Sequence, residues 1–227
     1  MGNSYGGSII TDGLVLALDA STDRSYSDSG TVWKDLSGNG NDCTLTHEAI
    51  GTVSGSVNAL SLDGSTNYIT TPFTRVDFGL YYTINVWYKF NGSTTGGYAP
   101  LIGSDVGSTR FFVGKATGNT NIGVEDGTST YEGGFATGTD AWDSTWRNIQ
   151  YVYSSGSREV FLDGISVGSD FKSPSTIANS NEIVIGYEDE GAGYYFTGDY
   201  GHVSIYNKAL TAEEVLQNYN ATKGRFL

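Results

Sequence analysis

The sequence predicts an all-β fold, an antiparallel β-sandwich with a short C-terminal helix. Three observations predict it. Apolar residues alternate with a period of two in short runs, clusters of Gly, Asn, Asp and Ser separate those runs, and helix signals occur only near the C-terminus. A length of 227 residues fits one unit, because all-β domains often exceed about 200 residues. We therefore expect residues 1–227 to form a single domain.

The strand pattern recurs along the whole chain. The predicted strands are, in order, Leu14–Asp19, Ala59–Leu62, Tyr82–Phe90, Leu101–Gly103, Arg110–Val113, Asn121–Glu125, Arg147–Tyr153, Glu159–Leu162, Ile165–Gly168, Glu182–Ile185 and Gly201–Tyr206. Within Tyr82–Phe90 the alternation places Trp87 on the more polar face, where it either packs beside a strand edge or faces a ligand. Asp163-Gly164 favours a type I′ turn and predicts a hairpin.

The two ends of the chain have other patterns. Thr211 and Glu214 have the spacing of a capping box, and Leu210 can pack on Val215. These signals predict a helix over residues 212–221. The Gly- and Ser-rich residues 1–12 predict a short arm that orders on contact with a partner.

Charge and composition exclude several classes of function. The chain has 12 Lys and Arg against 25 Asp and Glu, a net charge of −13, which argues against binding to nucleic acid or anionic lipid. The single Cys43 rules out an internal disulfide framework and a cysteine-based zinc cluster. No apolar run approaches the ~20 residues of a membrane span, and the first residues lack the features of a signal peptide. We therefore expect neither a membrane-spanning segment nor a signal peptide.

Several segments together resemble a known family. They are GLVLALDAS (Gly13–Ser21), Trp33–Asp42, SLDGSTNYI (Ser61–Ile69), TINVWYKF (Thr83–Phe90), Trp146–Tyr153, VFLDG (Val160–Gly164), IVIG (Ile183–Gly186) and the closing segment Phe196–Phe226. In this order they resemble a laminin-G-like, concanavalin A-like jelly roll over nearly the whole chain. The resemblance implies that fold, which lectins, adhesion modules, glycoside hydrolases and structural domains share. The end of the closing segment, Tyr206–Phe226, is similar to structural proteins of tailed phages, which implies a place on the virion surface.

Signals for catalysis are weak. Glycosidases need two carboxylates roughly 5 to 9.5 Å apart, and hydrolases that the chain resembles carry them on alternate positions of one strand. The consecutive acids Glu188, Asp189 and Glu190 instead indicate a solvated loop. The histidines, His47 and His202, lack a nucleophile-elbow context. We therefore expect a protein that is not an enzyme.

Calcium is a hypothesis for the loop that starts at Asp35. Side-chain oxygens recur at Asp35, Ser37 and Asn39, and Gly40 takes the sixth place of a calcium-loop pattern, but the twelfth place holds Thr46 instead of Glu. The alternative is a set of plain turns. By the resemblance, carboxylates at the rim of the sandwich offer further ligands, namely Asp63, Asp199 or, despite its role in the hairpin turn, Asp163. We expect that the protein requires no cofactor, and Ca²⁺ is the candidate ion for these ligands.

Aromatic residues in or near loops are the candidates for ligand binding, because sugar rings stack on Tyr and Trp. The resemblance implies that Trp33, Trp87 and Trp146 pack in the core. The candidate ligand-binding residues are Trp142, Tyr98, Tyr131, Tyr187, Tyr194 and Tyr195. The alternative is that they cover the sandwich ends or a subunit interface.

These observations favour a non-enzymatic phage virion surface protein, a capsid decoration or tail or fibre component that is multimeric on the particle and adheres to glycans. The second hypothesis is a purely structural cement module that binds neighbouring virion subunits and no sugar. The third is a glycoside hydrolase with dispersed carboxylates such as Glu125, Asp126 and Glu188. Under each hypothesis we expect no nucleic acid partner and no membrane insertion.

Overall fold

Two eight-stranded antiparallel sheets pack against each other as a sandwich, which confirms the fold class predicted from the alternating pattern. The computed structural model describes residues 7–27, 30–47, 50–54, 57–92, 97–104, 111–116, 121–126, 134–137, 140–172, 181–189 and 193–227, with residues 50–54 described by their backbone alone.

The strands of each sheet follow a fixed spatial order. The first sheet runs β14 (Ile165–Phe171), β13 (Ser157–Leu162), β12 (Trp146–Ser154), β7 (Tyr81–Phe90), β18 (Thr197–Tyr206), β5 (Val57–Asp63), β4 (Ile50–Ser54), with β1 (Leu14–Asp19) also paired to β18. The second sheet runs β11 (Gly134–Phe135), β10 (Ile122–Asp126), β9 (Phe111–Lys115), β8 (Ala99–Ser104), β15 (Glu182–Ile185), β6 (Ile69–Thr74), β3 (Cys43–Leu45), β2 (Val32–Trp33). A separate ribbon joins β16 (Tyr187–Glu188) to β17 (Tyr194–Tyr195).

The longer predicted strands are present, with ends that differ by a few residues. The hairpin turn is confirmed, since Asp163 and Gly164 both have positive φ, 52° and 78°, between β13 and β14. Apart from the five-residue β4, the strands that the sequence missed are short or interrupted. A strand of two or three residues shows no alternation, and Pro72 interrupts the pattern of β6.

Aromatic side chains fill the space between the sheets. Tyr82, Tyr151 and Phe111 are fully buried there. Beside them the 3₁₀ turn Arg75–Phe78 places an arginine that is only 3% exposed. Its guanidinium binds both carboxylate oxygens of Asp126 at 2.6 and 2.8 Å, and the Tyr82 hydroxyl donates to Asp126 at 2.8 Å. The buried charge is therefore neutralised within the core.

Helix α1 (Ala212–Thr222) packs on the outer face of the first sheet, and its capping box is present as predicted between Thr211 and Glu214. The helix buries Val215, Asn218 and Thr222. Because two of these three side chains are polar, the helix face that meets the sheet is partly polar, while the apolar Leu216 is 45% exposed.

Hydrogen bonds compensate for that polar interface. The Gln150 amide donates to the Val215 carbonyl at 3.0 Å and to Asn148 at 3.1 Å, and Asn148 donates to Asn85 at 2.7 Å. These hydrogen bonds, donated by buried amide N–H groups, fix the position of the helix on the sheet. Within the described ranges no helix has the length and apolar character to cross a membrane.

The N-terminal residues that the structure describes lie along the same helix. The backbone N–H of Ile10 donates to Asn218 at 2.8 Å, and Gln217 donates to the carbonyl of Ser8 at 2.9 Å. The predicted arm of residues 1–12 thus has contacts inside its own chain from residue 8 onward. Residues 1–6 lie outside the described part.

Candidate functional site

The β16–β17 ribbon lies on the outer face of the second sheet, the face turned away from the core. Ile102 of β8 belongs to the core, so its neighbour Gly103 faces outward. A Cβ atom on Gly103 would come within 2.8 Å of the Tyr187 carbonyl oxygen. Gly186, with φ of 82°, turns the chain out of β15 into the ribbon. A glycine at each position thus allows the ribbon to sit close to the sheet.

Three tyrosine rings meet at this ribbon. Tyr187 stacks on Tyr68 with centroids 4.8 Å apart and an interplanar angle of 24°. Tyr195, which pairs with Tyr187 across the ribbon, has its ring centroid 4.6 Å from that of Tyr187 and 6.4 Å from that of Tyr68. All three side chains are half-buried, so each keeps part of its surface in solvent.

Two further tyrosines extend the group along β8. The ring of Tyr194 lies 4.9 Å from that of Tyr98, which in turn meets the edge of Phe112 at 6.0 Å. Phe112 faces outward because Phe111 and Val113 on either side of it belong to the core. We define the tyrosine cluster as Tyr68, Tyr98, Tyr187, Tyr194 and Tyr195.

The phenols of the cluster are hydrogen-bonding groups at neutral pH. Burial, together with the negative charge of Asp189 and a hydrogen bond to Tyr195, raises the pKa of the Tyr187 phenol above its ordinary value. The Tyr187 hydroxyl therefore stays protonated and can donate or accept. The backbone of Tyr68 is fixed by Thr46, whose hydroxyl accepts from the Tyr68 N–H at 3.1 Å and donates to its carbonyl at 2.9 Å.

Two buried carboxylates belong to the same face. Glu188 of the ribbon is 1% exposed, and its Cβ and Cγ lie over Gly103. Glu125 of β10 is 0% exposed and is the cross-strand partner of Phe112, which pairs with Gly103 on its other side. Asp126, the third predicted acid, points to the core and binds Arg75.

The structure brings together Tyr98, Tyr187, Tyr194 and Tyr195 from the predicted ligand-binding set. It does not bring Trp142 to them. The Trp142 side chain is 5% exposed, packs on Tyr88 and Phe90 at 5.2 and 5.8 Å, and donates its indole N–H to a backbone carbonyl. The expectation of a ligand-facing Trp142 is corrected, since its ring surface is already covered. Tyr131 lies outside the described residues.

Sequence reasoning missed Tyr68, the residue that stacks on Tyr187. Tyr68 follows the turn Asp63–Asn67 and directly precedes β6. An aromatic residue that follows a polar turn was the same signal that selected the other tyrosines, so Tyr68 could have been included. Its meeting with Tyr187 joins segments far apart in sequence, which no local pattern reveals.

The proposed calcium loop is a hydrogen-bonded support for β1. Asp35 accepts from the backbone N–H groups of Ala17 and Ser37 at 2.9 and 2.8 Å through Oδ1. Its Oδ2 accepts from the Ser37 hydroxyl at 2.6 Å and the Asn41 N–H at 3.1 Å. Asn39 donates to the carbonyl of Leu14 at 3.0 Å. Both carboxylate oxygens of Asp35 are thus acceptors for protein donors, as a turn requires.

The other predicted metal ligands also have protein partners. Asp63 accepts from the N–H groups of Ser65, Thr66 and Asn67, and these bonds outweigh the effect of burial and lower the pKa of Asp63. Asp199 accepts from the Ser61 hydroxyl. In the part of the chain that the structure describes, no three His, Cys, Asp or Glu side chains come close enough together to hold a metal ion. The predicted carboxylate ligands Asp35, Asp63 and Asp199 therefore do not belong to a cluster of this kind.

Comparison with known proteins adds three findings. A laminin-G-type family model, described as the concanavalin A-like lectin/glucanases superfamily, matches residues 63–216. No curated protein sequence matches the chain significantly. Solved structures with the same fold include domain 4 of AbnA, a GH43 extracellular arabinanase from Geobacillus stearothermophilus, in complex with arabinotriose, with a TM-score of 0.71 and 18% identity over 91% of this chain and 98% of that domain.

Two other similar structures belong to longer chains. Trypanosoma rangeli sialidase in complex with sialic acid has a TM-score of 0.70 and 16% identity over 97% of this chain and 35% of the sialidase. The binding domain of botulinum neurotoxin DC in complex with SialylT has a TM-score of 0.66 and 13% identity over 93% of this chain and 52% of that chain. At these identities the likeness establishes the shared fold.

These findings correct two expectations from the sequence. The expectation of a phage virion protein is wrong, because the similar structures are domains of an arabinanase, a sialidase and a toxin. The segment that indicated phage origin, Tyr206–Phe226, contains the end of β18, helix α1 and the 3₁₀ turn Lys223–Arg225 of this sandwich. The expectation of a protein that is not an enzyme is also contradicted, since the arabinanase and the sialidase are carbohydrate-active enzymes.

Proposed function

Because the chain belongs to the concanavalin A-like lectin/glucanases superfamily, we propose that it is a carbohydrate-binding domain and that the tyrosine cluster is its glycan site. The observation that carries this proposal is the stacked pair of half-buried rings Tyr68 and Tyr187, with Tyr195 beside them. Arabinotriose and SialylT in the similar structures support a carbohydrate ligand.

The chemistry of the cluster suits a sugar. The C–H faces of a pyranose or furanose ring are apolar and stack on aromatic rings, while phenol hydroxyls exchange hydrogen bonds with sugar hydroxyls. Asp189 and Asn67, next in the chain to Glu188 and Tyr68, add polar groups at the edge of the cluster. The negative charge of Asp189 beside Tyr187 favours a neutral glycan here.

The proposal is tested by probing a glycan array with a multimerised form of the protein, followed by titration of the best glycan with the monomer. Multimers compensate for weak single sites. Tyr195→Ala removes a ring that is half in solvent, and we expect it to weaken binding about tenfold. Tyr195→Phe keeps the ring and separates stacking from the contribution of the hydroxyl.

Tyr81→Ala is the matched control. Tyr81 is 53% exposed and belongs to β7 of the first sheet, outside the cluster. We expect this variant to bind as the wild type does. A blank array, or equal losses in Tyr195→Ala and Tyr81→Ala, would refute the assignment of the site.

Glycoside cleavage is the second candidate, and the pair Glu125 and Glu188 favours it. Both carboxyl groups are buried on the outer face of the second sheet: Glu125 pairs with Phe112, and the Glu188 side chain lies over Gly103, the other strand neighbour of Phe112. Glycosidases use one carboxyl as general acid and a second as nucleophile or base. A glycan held on the tyrosine cluster would lie next to Glu188.

Release of reducing sugar from the glycans that bind on the array tests this candidate. Glu188→Gln and Glu125→Gln keep the side-chain shape and remove the ionisable group. Glu213→Gln, on the exposed side of α1, is the control. If cleavage is present, we expect it to be lost in the first two variants and retained in the control. An absence of cleavage by the wild type rejects this candidate and leaves carbohydrate binding as the function.

A further inference from the structure

A polar pocket lies beside β5 of the first sheet. Its volume is about 410 Å³, and its walls are Ser21, Val57, Asn58, Gly224 and Arg225. Ser21 follows the end of β1, Val57 and Asn58 begin β5, and the last two residues belong to the 3₁₀ turn Lys223–Arg225. We call it the Arg225 pocket. It shares no residue with the tyrosine cluster, which lies on the outer face of the second sheet.

Arg225 is held in a defined position by one of its terminal nitrogens. Nη1 donates to Asp19 Oδ2 and to the Ser21 hydroxyl at 2.9 Å. Asp19 is itself fixed, since its Oδ1 accepts from the Ser21 N–H at 3.0 Å and from the Ser21 hydroxyl at 2.6 Å. Within the described part of the chain, Nε and Nη2 of Arg225 make no hydrogen bond. The guanidinium therefore presents one occupied nitrogen and one open edge with two parallel N–H groups.

Arg225 forms an ion pair with the Asp19 carboxylate and is the charged side chain among the pocket walls. His202 lies next to Asp19, with its Nδ1 3.9 Å from Asp19 Oδ2, and is 4% exposed. Burial and the nearby Arg225 lower the pKa of His202 to about 4, so this imidazole is neutral at neutral pH. Burial alone would raise the pKa of Asp19, but the charge of Arg225 and the hydrogen bonds from Ser21 and Arg225 outweigh it and lower the pKa, so Asp19 is ionised at neutral pH.

We propose that the Arg225 pocket binds the carboxylate of an acidic sugar of the hexuronic type. The open edge of a guanidinium matches the two oxygens of a carboxylate and forms two parallel charge-assisted hydrogen bonds. Asn58 is exposed, so its amide offers a partner for ring hydroxyls, while Val57 provides an apolar surface. The volume lies within the range of about 300 to 1,000 Å³ typical of small-ligand sites.

This inference goes beyond the proposed function, because it concerns a different site with a different ligand charge. The tyrosine cluster has an acidic edge and favours neutral glycans, whereas the Arg225 pocket offers a carboxylate the guanidinium edge that Asp19 does not occupy. Each site is tested by variants that do not touch the other, so the failure of one proposal is distinguishable from the failure of the other.

Binding of two probes that differ only at C6 tests the proposal. The probes are methyl β-D-glucuronide and methyl β-D-glucoside, titrated separately into the full chain at low ionic strength and followed by NMR chemical-shift changes. We expect the glucuronide to bind at least about tenfold more tightly than the glucoside. Arg225→Gln should reduce glucuronide affinity about tenfold, to the level of the glucoside. Arg24→Gln, an exposed arginine outside the pocket, removes the same charge and should bind as the wild type does.

A second variant keeps the test valid if the loss of Arg225 disturbs the C-terminal turn. Asn58→Trp fills the pocket from the β5 side and leaves the contacts of Arg225 with Asp19 and Ser21 in place. We expect it to abolish glucuronide binding without loss of the resonances of the folded state. Equal affinity for the two probes, or glucuronide binding that survives both Arg225→Gln and Asn58→Trp, would overturn the proposal.

Discussion

The ring of Phe226 stacks on the indole of Trp87, with centroids 4.4 Å apart and an angle of 15° between the planes. Tyr219 of α1 is also parallel to this indole, at 5.6 Å and 12°. The indole N–H donates to the Thr222 hydroxyl at 2.8 Å. Trp87 therefore anchors both the end of α1 and the chain that follows it on the outer face of the first sheet.

Phe226→Ala should lower the free energy of unfolding by about 3 kcal/mol, because it removes a buried aromatic ring and leaves a cavity over Trp87. Urea denaturation followed by tryptophan fluorescence measures the change. Leu227→Ala is the control, since that side chain is 71% exposed and should have little effect. If the two variants were equally stable, the stacking would not contribute to folding.

Asp126→Asn should destabilise the protein by roughly 3 to 5 kcal/mol, because it leaves the buried guanidinium of Arg75 without a counter-charge. Thermal unfolding by calorimetry measures this loss. Asp12→Asn removes an exposed partner of Lys208 and should leave the melting temperature unchanged. A small effect of Asp126→Asn would show that the carboxylate charge is not needed in the core.

Gly103→Ala should displace the β16–β17 ribbon, since the new methyl group would clash with the Tyr187 carbonyl. We expect a loss of stability of about 1 to 3 kcal/mol and weaker glycan binding, because the tyrosine rings move with the ribbon. Gly7→Ala places a methyl group where no atom lies within 4 Å and serves as the control. Normal glycan affinity in Gly103→Ala would separate the ribbon from the binding site.

Stability should fall as the pH decreases from about 6.5 to about 4, because of His202. The folded protein holds this imidazole neutral with a pKa lowered to about 4, against an ordinary value of 6.5. Below pH 6.5 the unfolded chain therefore binds a proton that the folded chain does not bind. The neutral imidazole contributes about 3 kcal/mol to the free energy of unfolding above pH 6.5, and this contribution is lost as the pH falls to about 4.

Urea unfolding at a series of pH values from 7.5 to 4 measures this dependence. Points about half a pH unit apart are sufficient to define the slope of the unfolding free energy against pH. His202→Gln should flatten the curve in this window, whatever its effect on absolute stability. His47→Gln, at an exposed position, should keep the wild-type slope. An unchanged slope in His202→Gln would assign the dependence to other groups.

Local patterns accounted for much of the fold. Alternation located Leu14–Asp19 and Glu182–Ile185 to the residue, and the Asp163-Gly164 turn and the Thr211 cap were found because each depends on neighbours in the chain. The β16–β17 ribbon could not be found in this way. Its strands have two residues each, and it is held by contact with Gly103, which is distant in sequence.

Local patterns also predicted part of the candidate site. Tyr187, Tyr194 and Tyr195 share one ribbon, so choosing loop tyrosines identified them. Trp142 has the same sequence signal but is buried against Tyr88 and Phe90, because its loop folds over the end of the core. Ser21 and Asn58 meet Arg225 only through tertiary structure, and no spacing in the sequence connects them.

The central place of β18 has a consequence for synthesis. This strand pairs with β7, β5 and β1, all of which precede it in the chain. Until it has emerged from the ribosome, β7 and β5 each expose an unpaired hydrogen-bonding edge, which is a template for aggregation. Assembly of the first sheet must therefore await contacts between distant segments, and such non-local pairing makes folding slow. Fragments that end before Thr197 should consequently require chaperones to remain in solution.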